Sequence, residues 1–138
     1  MVEIQFLYNT YNHCVDMTGD AAGVADCFLN EGTWEHPLHG KIVGREAITA
    51  FMQKAIDEQE ARFQHWNANL LVDVDEDGDS ASATAYVMTL DTRAVSPVIW
   101  RANIYRDRLV RTAEGWRFAS RRGGFPFTEF RDEADAAS

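Results

Sequence analysis

The 138-residue chain is predicted to be an α+β protein, and three observations predict it. Apolar residues recur at helical spacing in the first 60 residues, and alternating strand patterns dominate from residue 63 onward. Asp75-Glu76-Asp77-Gly78-Asp79 is a polar, glycine-containing turn between two such alternating runs, the mark of a long antiparallel hairpin. Helices first and a meander afterwards pack as helices on one face of a curved sheet. That arrangement closes one end and leaves a pocket between helices and sheet.

The elements follow in order. Residues 3–18 form the first expected helix, with Ile4, Leu7, Tyr8, Tyr11, Cys14, Val15 and Thr18 at helical spacing and Gly19 as its stop. Asp20 is the expected N-cap of a second helix over 21–30, with Ala21, Val24, Ala25 and Phe28 inward and Gly32 at its end. A short strand over 33–36 ends at Pro37, and 38–44 is a turn-rich link. The clearest helix covers 45–60, where Ile48, Phe51, Met52, Ala55 and Ile56 make an i, i+3, i+4, i+7, i+8 stripe.

Strands are then expected over 69–74, 80–90, 98–111 and 115–122, with His65 and Trp66 just ahead of the first. Gly123-Gly124 reads as a flexible hinge, Phe125-Pro126-Phe127 as a hydrophobic lid, and the acidic, Ala-rich residues 131–138 as a frayed tail. The organisation is one domain over 1–124 and a tail over 125–138.

Composition removes several function classes. The hydrophobic share of 46% excludes global disorder, and a net charge of −9 disfavours nucleic acid and anionic membrane surfaces as partners. No apolar run has membrane-spanning length and no secretory signal opens the chain, so a cytoplasmic protein is expected. Cys14 and Cys27 lie in apolar patterns and are expected as buried, reduced thiols. There is no phosphate-cradling glycine loop, no GxGxxG and no nucleophile elbow, so no nucleotide cofactor is expected. His36 and His39 flank Pro37-Leu38 beside Glu35, a spacing that does not converge ligands as a helical pair does, so no metal is expected either. His13 reads as an ordinary helix residue.

Several strings, in this order, resemble one family. They are Gly44-Arg45-Glu46-Ala47-Ile48, His65 four residues before Asn69, Val72-Asp73-Val74-Asp75, the run Tyr105-Arg106-Asp107-Arg108-Leu109-Val110-Arg111, and Gly115-Trp116-Arg117-Phe118. Together they resemble the SnoaL-like subgroup of the nuclear-transport-factor-2-like cone fold, across residues 3–122. Within it the pattern is similar to scytalone dehydratase, bile-acid dehydratase and hexachlorocyclohexane dehydrochlorinase. The resemblance implies a pocket histidine oriented by an aspartate of the first helix, which match His65 and Asp16. It also implies a polarising tyrosine at Tyr11 and an arginine at Arg121. The ketosteroid isomerases share the fold but use a tyrosine and two carboxylates. Met88 and Thr89 occupy the region where their second acid is sought here.

The residues carry their own argument. An imidazole titrates near neutrality, and a carboxylate on its far nitrogen fixes the tautomer. Asp16 sits between Val15 and Met17 in an apolar helix, where it is either paired or turned to solvent. Tyr8 and Asn12 share its helical face and, with Trp66 and Met88, are candidate substrate-binding groups. Tyr11 is either a hydrogen-bond donor or core. Arg121 is out of phase with Trp116 and Phe118 in a regular strand, so the aromatics face outward, a bulge intervenes, or Arg121 is a surface residue.

The expectation is a cofactor-independent lyase or dehydratase acting on a hydrophobic cyclic or polyketide-like small molecule. Isomerase and polyketide cyclase chemistry share the proton abstraction. The rival class is a non-catalytic ligand-binding or scaffold domain, such as a ring-hydroxylating oxygenase beta-type subunit. Exposed sheet aromatics, Trp100 or Trp116, suit a homodimer or homotrimer.

Overall fold

The computed structural model describes residues 2–125. Its elements are α1 (Val2–Asp16), α2 (Ala21–Asp26), β1 (Phe28–His36), β2 (Gly40–Val43), α3 (Arg45–Gln59), β3 (Phe63–Val74), β4 (Ser80–Asp91), β5 (Val98–Thr112) and β6 (Gly115–Phe125). The strands form one six-stranded sheet in the order β2-β1-β6-β5-β4-β3. Only β1 and β6 run parallel; every other neighbouring pair is antiparallel. This is the α+β architecture expected from sequence, with the N-terminal helices against a curved sheet.

α1 forms because Ile4, Leu7, Tyr8, Tyr11 and Val15 make one apolar stripe, and all five are buried. It ends at Asp16, where Gly19 (φ +58°) lets Asp20 N–H return to the Cys14 carbonyl at 2.8 Å. Asp20 caps α2 through Gly23 N–H at 2.9 Å, as its position suggested. α2 is shorter than its apolar spacing implies. Phe28 leaves the helix to open β1, where it packs on Phe118 with ring centroids 5.3 Å apart. Both rings are fully buried, and each contributes roughly 1.5–3 kcal/mol by leaving water. That tertiary gain outweighs one more helical turn.

The link over 38–44 contains β2, which pairs with the end of β1 through Trp34 opposite Ile42. A four-residue strand after the left-handed Gly40 is too short to show alternation. The hairpin turn behaves as its sequence demands: Gly78 takes φ +72°, and the Asp77 carboxylate accepts from Asp79 and Ser80 N–H.

Two bulges decide what faces inward. In β3 the register against β4 shifts between Ala68 and Leu71, with Asn69 left-handed at φ +55°. Phe63, His65 and Asn67 therefore share the inner face with Leu70 and Val72, which an unbroken period of two forbids. β3 also begins six residues earlier than expected, so His65 lies within the strand rather than ahead of it. In β6 the register against β5 shifts between Leu109–Phe118 and Arg108–Ser120. That shift turns Trp116, Phe118 and Arg121 all inward, and all three are buried. Trp116 is thus core rather than an interface aromatic, whereas Trp100 is exposed.

Gly123 and Gly124 belong to β6 and are not a hinge. A Cβ on Gly123 would stand 2.7 Å from the Tyr105 ring, and one on Gly124, at φ +80°, 2.7 Å from the His36 ring. The glycines let two rings lie on the backbone. Phe125 closes β6 opposite Ile104. The rest of the expected lid, Pro126 and Phe127, and the tail over 131–138 lie outside the described residues. Cys27 is buried, which pushes its thiol up to about 12, and Cys14 is half-buried; both are free. No helix of the described residues is long and apolar enough to cross a membrane.

Candidate active site

Between α1, α3 and the inner sheet face lies a cleft of about 340 Å³, lined by Tyr11, Trp34, Phe51, Phe63, His65 and Tyr105 among others. A larger groove of about 640 Å³ sits beside the start of α1 and the β5–β6 turn, and contains neither His65 nor Asp16. Size favours the groove, but the chemistry sits at the cleft, whose wall carries His65, a histidine held by a carboxylate.

α1 ends with Asp16 directed at β3. Its Oδ1 lies 2.7 Å from His65 Nδ1, and its Oδ2 accepts the His65 backbone N–H at 2.7 Å. The two side chains are 9% and 16% exposed, so they are partly sheltered yet reachable. An ionised carboxylate only accepts hydrogen bonds, so Nδ1 is the donor and carries the proton. Nε2 of the neutral ring is left with a lone pair.

Tyr11 forms a second polar point of the cleft. Its hydroxyl accepts from Trp34 Nε1 at 2.8 Å, leaving its own proton to be donated. Burial pushes the phenol up, with Arg121 pulling the other way, so Tyr11 stays protonated at neutral pH. Tyr105 is raised likewise by burial.

Beneath these tyrosines lies a sealed ion pair. Arg121 Nε and Nη2 donate to Asp107 Oδ1 and Oδ2, each at 2.9 Å, and both side chains are 0% exposed. Tyr8 donates its hydroxyl to Asp107 as well. The guanidinium stacks on the rings of Tyr105 (3.7 Å), Phe118 (4.2 Å) and Tyr11 (4.5 Å). Burial is the largest single effect and opposes its charge, but the Asp107 carboxylate, joined by Tyr105 and Tyr8, holds Arg121 well above the ordinary arginine value.

With this geometry in hand, comparison with known proteins decides the family. Residues 1–122 match the model of the SnoaL-like domain. The chain belongs to the SnoaL-like family. No curated protein matches it. Solved structures do. ActVI-ORFA from Streptomyces coelicolor is 26% identical, with 89% of this chain and 95% of that one covered and a TM-score of 0.77. A Catenulispora acidiphila protein in complex with S-DNPA is 27% identical, covering 99% and 96%, at a TM-score of 0.75. An NTF2-like protein with a cystatin-like fold from Novosphingobium aromaticivorans is 24% identical, covers 89% and 79%, and superposes at 0.79, a likeness of fold.

The SnoaL-like chain brings together some of the residues singled out from its sequence and not others. His65, Asp16 and Tyr11 meet around the cleft. Tyr8 and Arg121 do not reach its surface; they are buried under it, bound to Asp107. Asn12 donates to Asn67 Oδ1 at 2.6 Å on the outer side of the dyad, in a shallow pocket that Asp16 and His65 also line. Trp66 is 55% exposed and donates to Gln64, so it points away from the cleft. Met88 is its cross-strand partner and shares that outer face, while Val87 and Thr89 face in. A one-residue change of strand parity separates the inner set from the outer.

Trp34, Tyr105, Thr89 and Asp107 were given no site role from sequence. Asp107 had a signal: it alternates with the buried Tyr105 and Leu109 along β5, and a carboxylate on an apolar face needs a partner. His36 and His39 do approach each other, with ring centroids 4.9 Å apart. Among the described residues, no three His, Cys, Asp or Glu side chains converge as metal ligands.

Proposed function

We propose that this SnoaL-like domain is a cofactor-independent lyase of dehydratase type, acting by proton abstraction on a hydrophobic cyclic small molecule. The observation that carries the reading is the doubly anchored His65–Asp16 pair at the wall of an apolar, aromatic cleft. The relative in complex with S-DNPA supports a small-molecule occupant.

In this reading His65 Nε2 removes a proton next to a carbonyl, and the imidazolium that forms is stabilised by Asp16 through Nδ1–H. Charge develops on the carbonyl oxygen, and Tyr11 O–H donates to it, held in place by Trp34 Nε1. Arg121 acts one layer down, favouring negative charge near Tyr11 without touching substrate. The protonated His65 then returns its proton to the departing hydroxyl, which leaves as water. Isomerisation and cyclisation use the same first step: in the first the proton returns to another carbon, and in the second the enolate carbon bonds to a second carbonyl whose oxygen takes the proton.

The test follows solvent deuterium exchange and water loss by NMR on a panel of cyclic β-hydroxy ketones. Wild type is expected to turn over at least one member, with His65→Gln slower by about 10²–10⁴-fold. A rate unchanged in His65→Gln would remove His65 as the base.

A further inference from the structure

The mouth of the cleft is poorer in acids than the chain as a whole. The protein carries 22 acidic residues against 13 Lys and Arg. The cleft lining does not share this excess: Arg62 and Arg101 face a single acid, Glu58, with His36, His39 and His65 as further polar groups. Arg62 has a partner in Asp91 at 3.5 Å. Arg101 is half-buried, rests on the Trp100 ring at 4.2 Å and makes no hydrogen bond or ion pair among the described residues. Its guanidinium donors are therefore free to meet an anionic group that enters the cleft.

Register fixes where this cation sits. His65 on β3 lies opposite Thr89 on β4, and Thr89 lies opposite Arg101 on β5. The three form one row across the inner face, so Arg101 and His65 are about 10 Å apart at their Cα atoms, two cross-strand steps. That is the span of a two- or three-ring body.

His36 adds a donor on the opposite wall. Its Nδ1 accepts Leu38 N–H at 3.0 Å, so the neutral ring carries its proton on Nε2, without a partner among the described residues. Burial, His39 and Arg101 all push His36 down.

We propose that the cleft selects substrates bearing a carboxylate, anchored by Arg101 with His36 and His39 while the apolar body reaches towards His65. The proposal rests on the small-molecule site above and names its substrate class. Charge-assisted hydrogen bonds to a carboxylate are the stronger kind, and Arg presents the planar fork that matches it.

The test is binding rather than turnover, so it stands or falls separately from the elimination chemistry. The probes are 2-naphthylacetic acid and its neutral analogue 2-naphthylacetamide, titrated calorimetrically into wild type, Arg101→Gln, Arg101→Lys and Trp66→Phe, the last on the outer sheet face. Wild type is expected to bind the acid about tenfold or more tightly than the amide. Arg101→Gln should lose that preference, Arg101→Lys retain part of it, and Trp66→Phe keep it. Equal affinity for acid and amide in wild type overturns the proposal. So does a preference that survives Arg101→Gln, and so does the absence of binding by either probe at millimolar concentration.

Discussion

Two carboxylates are paired with basic side chains on the inner face of this protein, and the pairs are built for opposite purposes. Asp107 and Arg121 are both fully buried, bonded in parallel at 2.9 Å, and enclosed by aromatic rings. Asp16 and His65 are bonded at 2.7 Å but remain partly exposed, and one member is an imidazole, which has a neutral form with a free nitrogen lone pair. A sealed arginine cannot give up its proton and serves to hold three elements in register. A histidine at a cleft wall can take a proton and pass it on. The difference lies in accessibility and in which basic side chain is used, not in the carboxylate.

The largest effect should come from breaking the sealed pair. Asp107→Asn leaves a buried guanidinium without its counter-charge and is expected to lower unfolding free energy by about 3–5 kcal/mol in denaturant titration. Losses from Asp107→Asn and Arg121→Met should be strongly non-additive, because each already removes the pair. Asp16→Asn should do the reverse. Its amide oxygen can still accept one hydrogen bond from His65, so stability changes by about 1 kcal/mol, while turnover falls by about 10²–10⁴-fold. If both substitutions act mainly on stability, the contrast between the pairs disappears.

Tyr11→Phe sharpens the comparison at the layer between them. Trp34 Nε1 loses its acceptor at a cost of about 1 kcal/mol, and turnover is expected to fall by about tenfold with fold retained by circular dichroism. The smallest effect is a pH slope at the cleft mouth. His36 is held below its ordinary value, so below about pH 6.5 the unfolded chain takes up a proton that the folded chain resists. Its contribution to stability is therefore lost as pH falls below that value. His36→Gln should flatten the fall between pH 6.5 and 5 in urea titrations. An unchanged slope would mean that His36 titrates alike in both states.

The sequence reveals what depends on regular periodicity and conceals what depends on breaking it. The α1 and α3 stripes, the hairpin at Gly78 and the family strings all read correctly, because each is local. The outer positions of Trp66 and Met88 did not, since nothing in their composition marks the sheet face; only register against β4 does. The inward Arg121 depends on a bulge after Phe118, which the parity conflict with Trp116 hinted at without placing. Asp107 was hidden for another reason: its partner lies across β6, and no spacing rule joins the two. Phe28 was assigned to α2 because Ala21, Val24 and Ala25 lead to it at helical spacing, and only its packing on Phe118 draws it into β1.

The central claim is that Asp16 holds the His65 proton on Nδ1 and leaves Nε2 as the base. The direct measurement is the imidazole ¹⁵N spectrum of His65, recorded above its titration in wild type and Asp16→Asn. The account predicts a protonated Nδ1 and an unprotonated Nε2 in wild type, with that preference lost in Asp16→Asn. A His65 that carries its proton on Nε2 in wild type would contradict it.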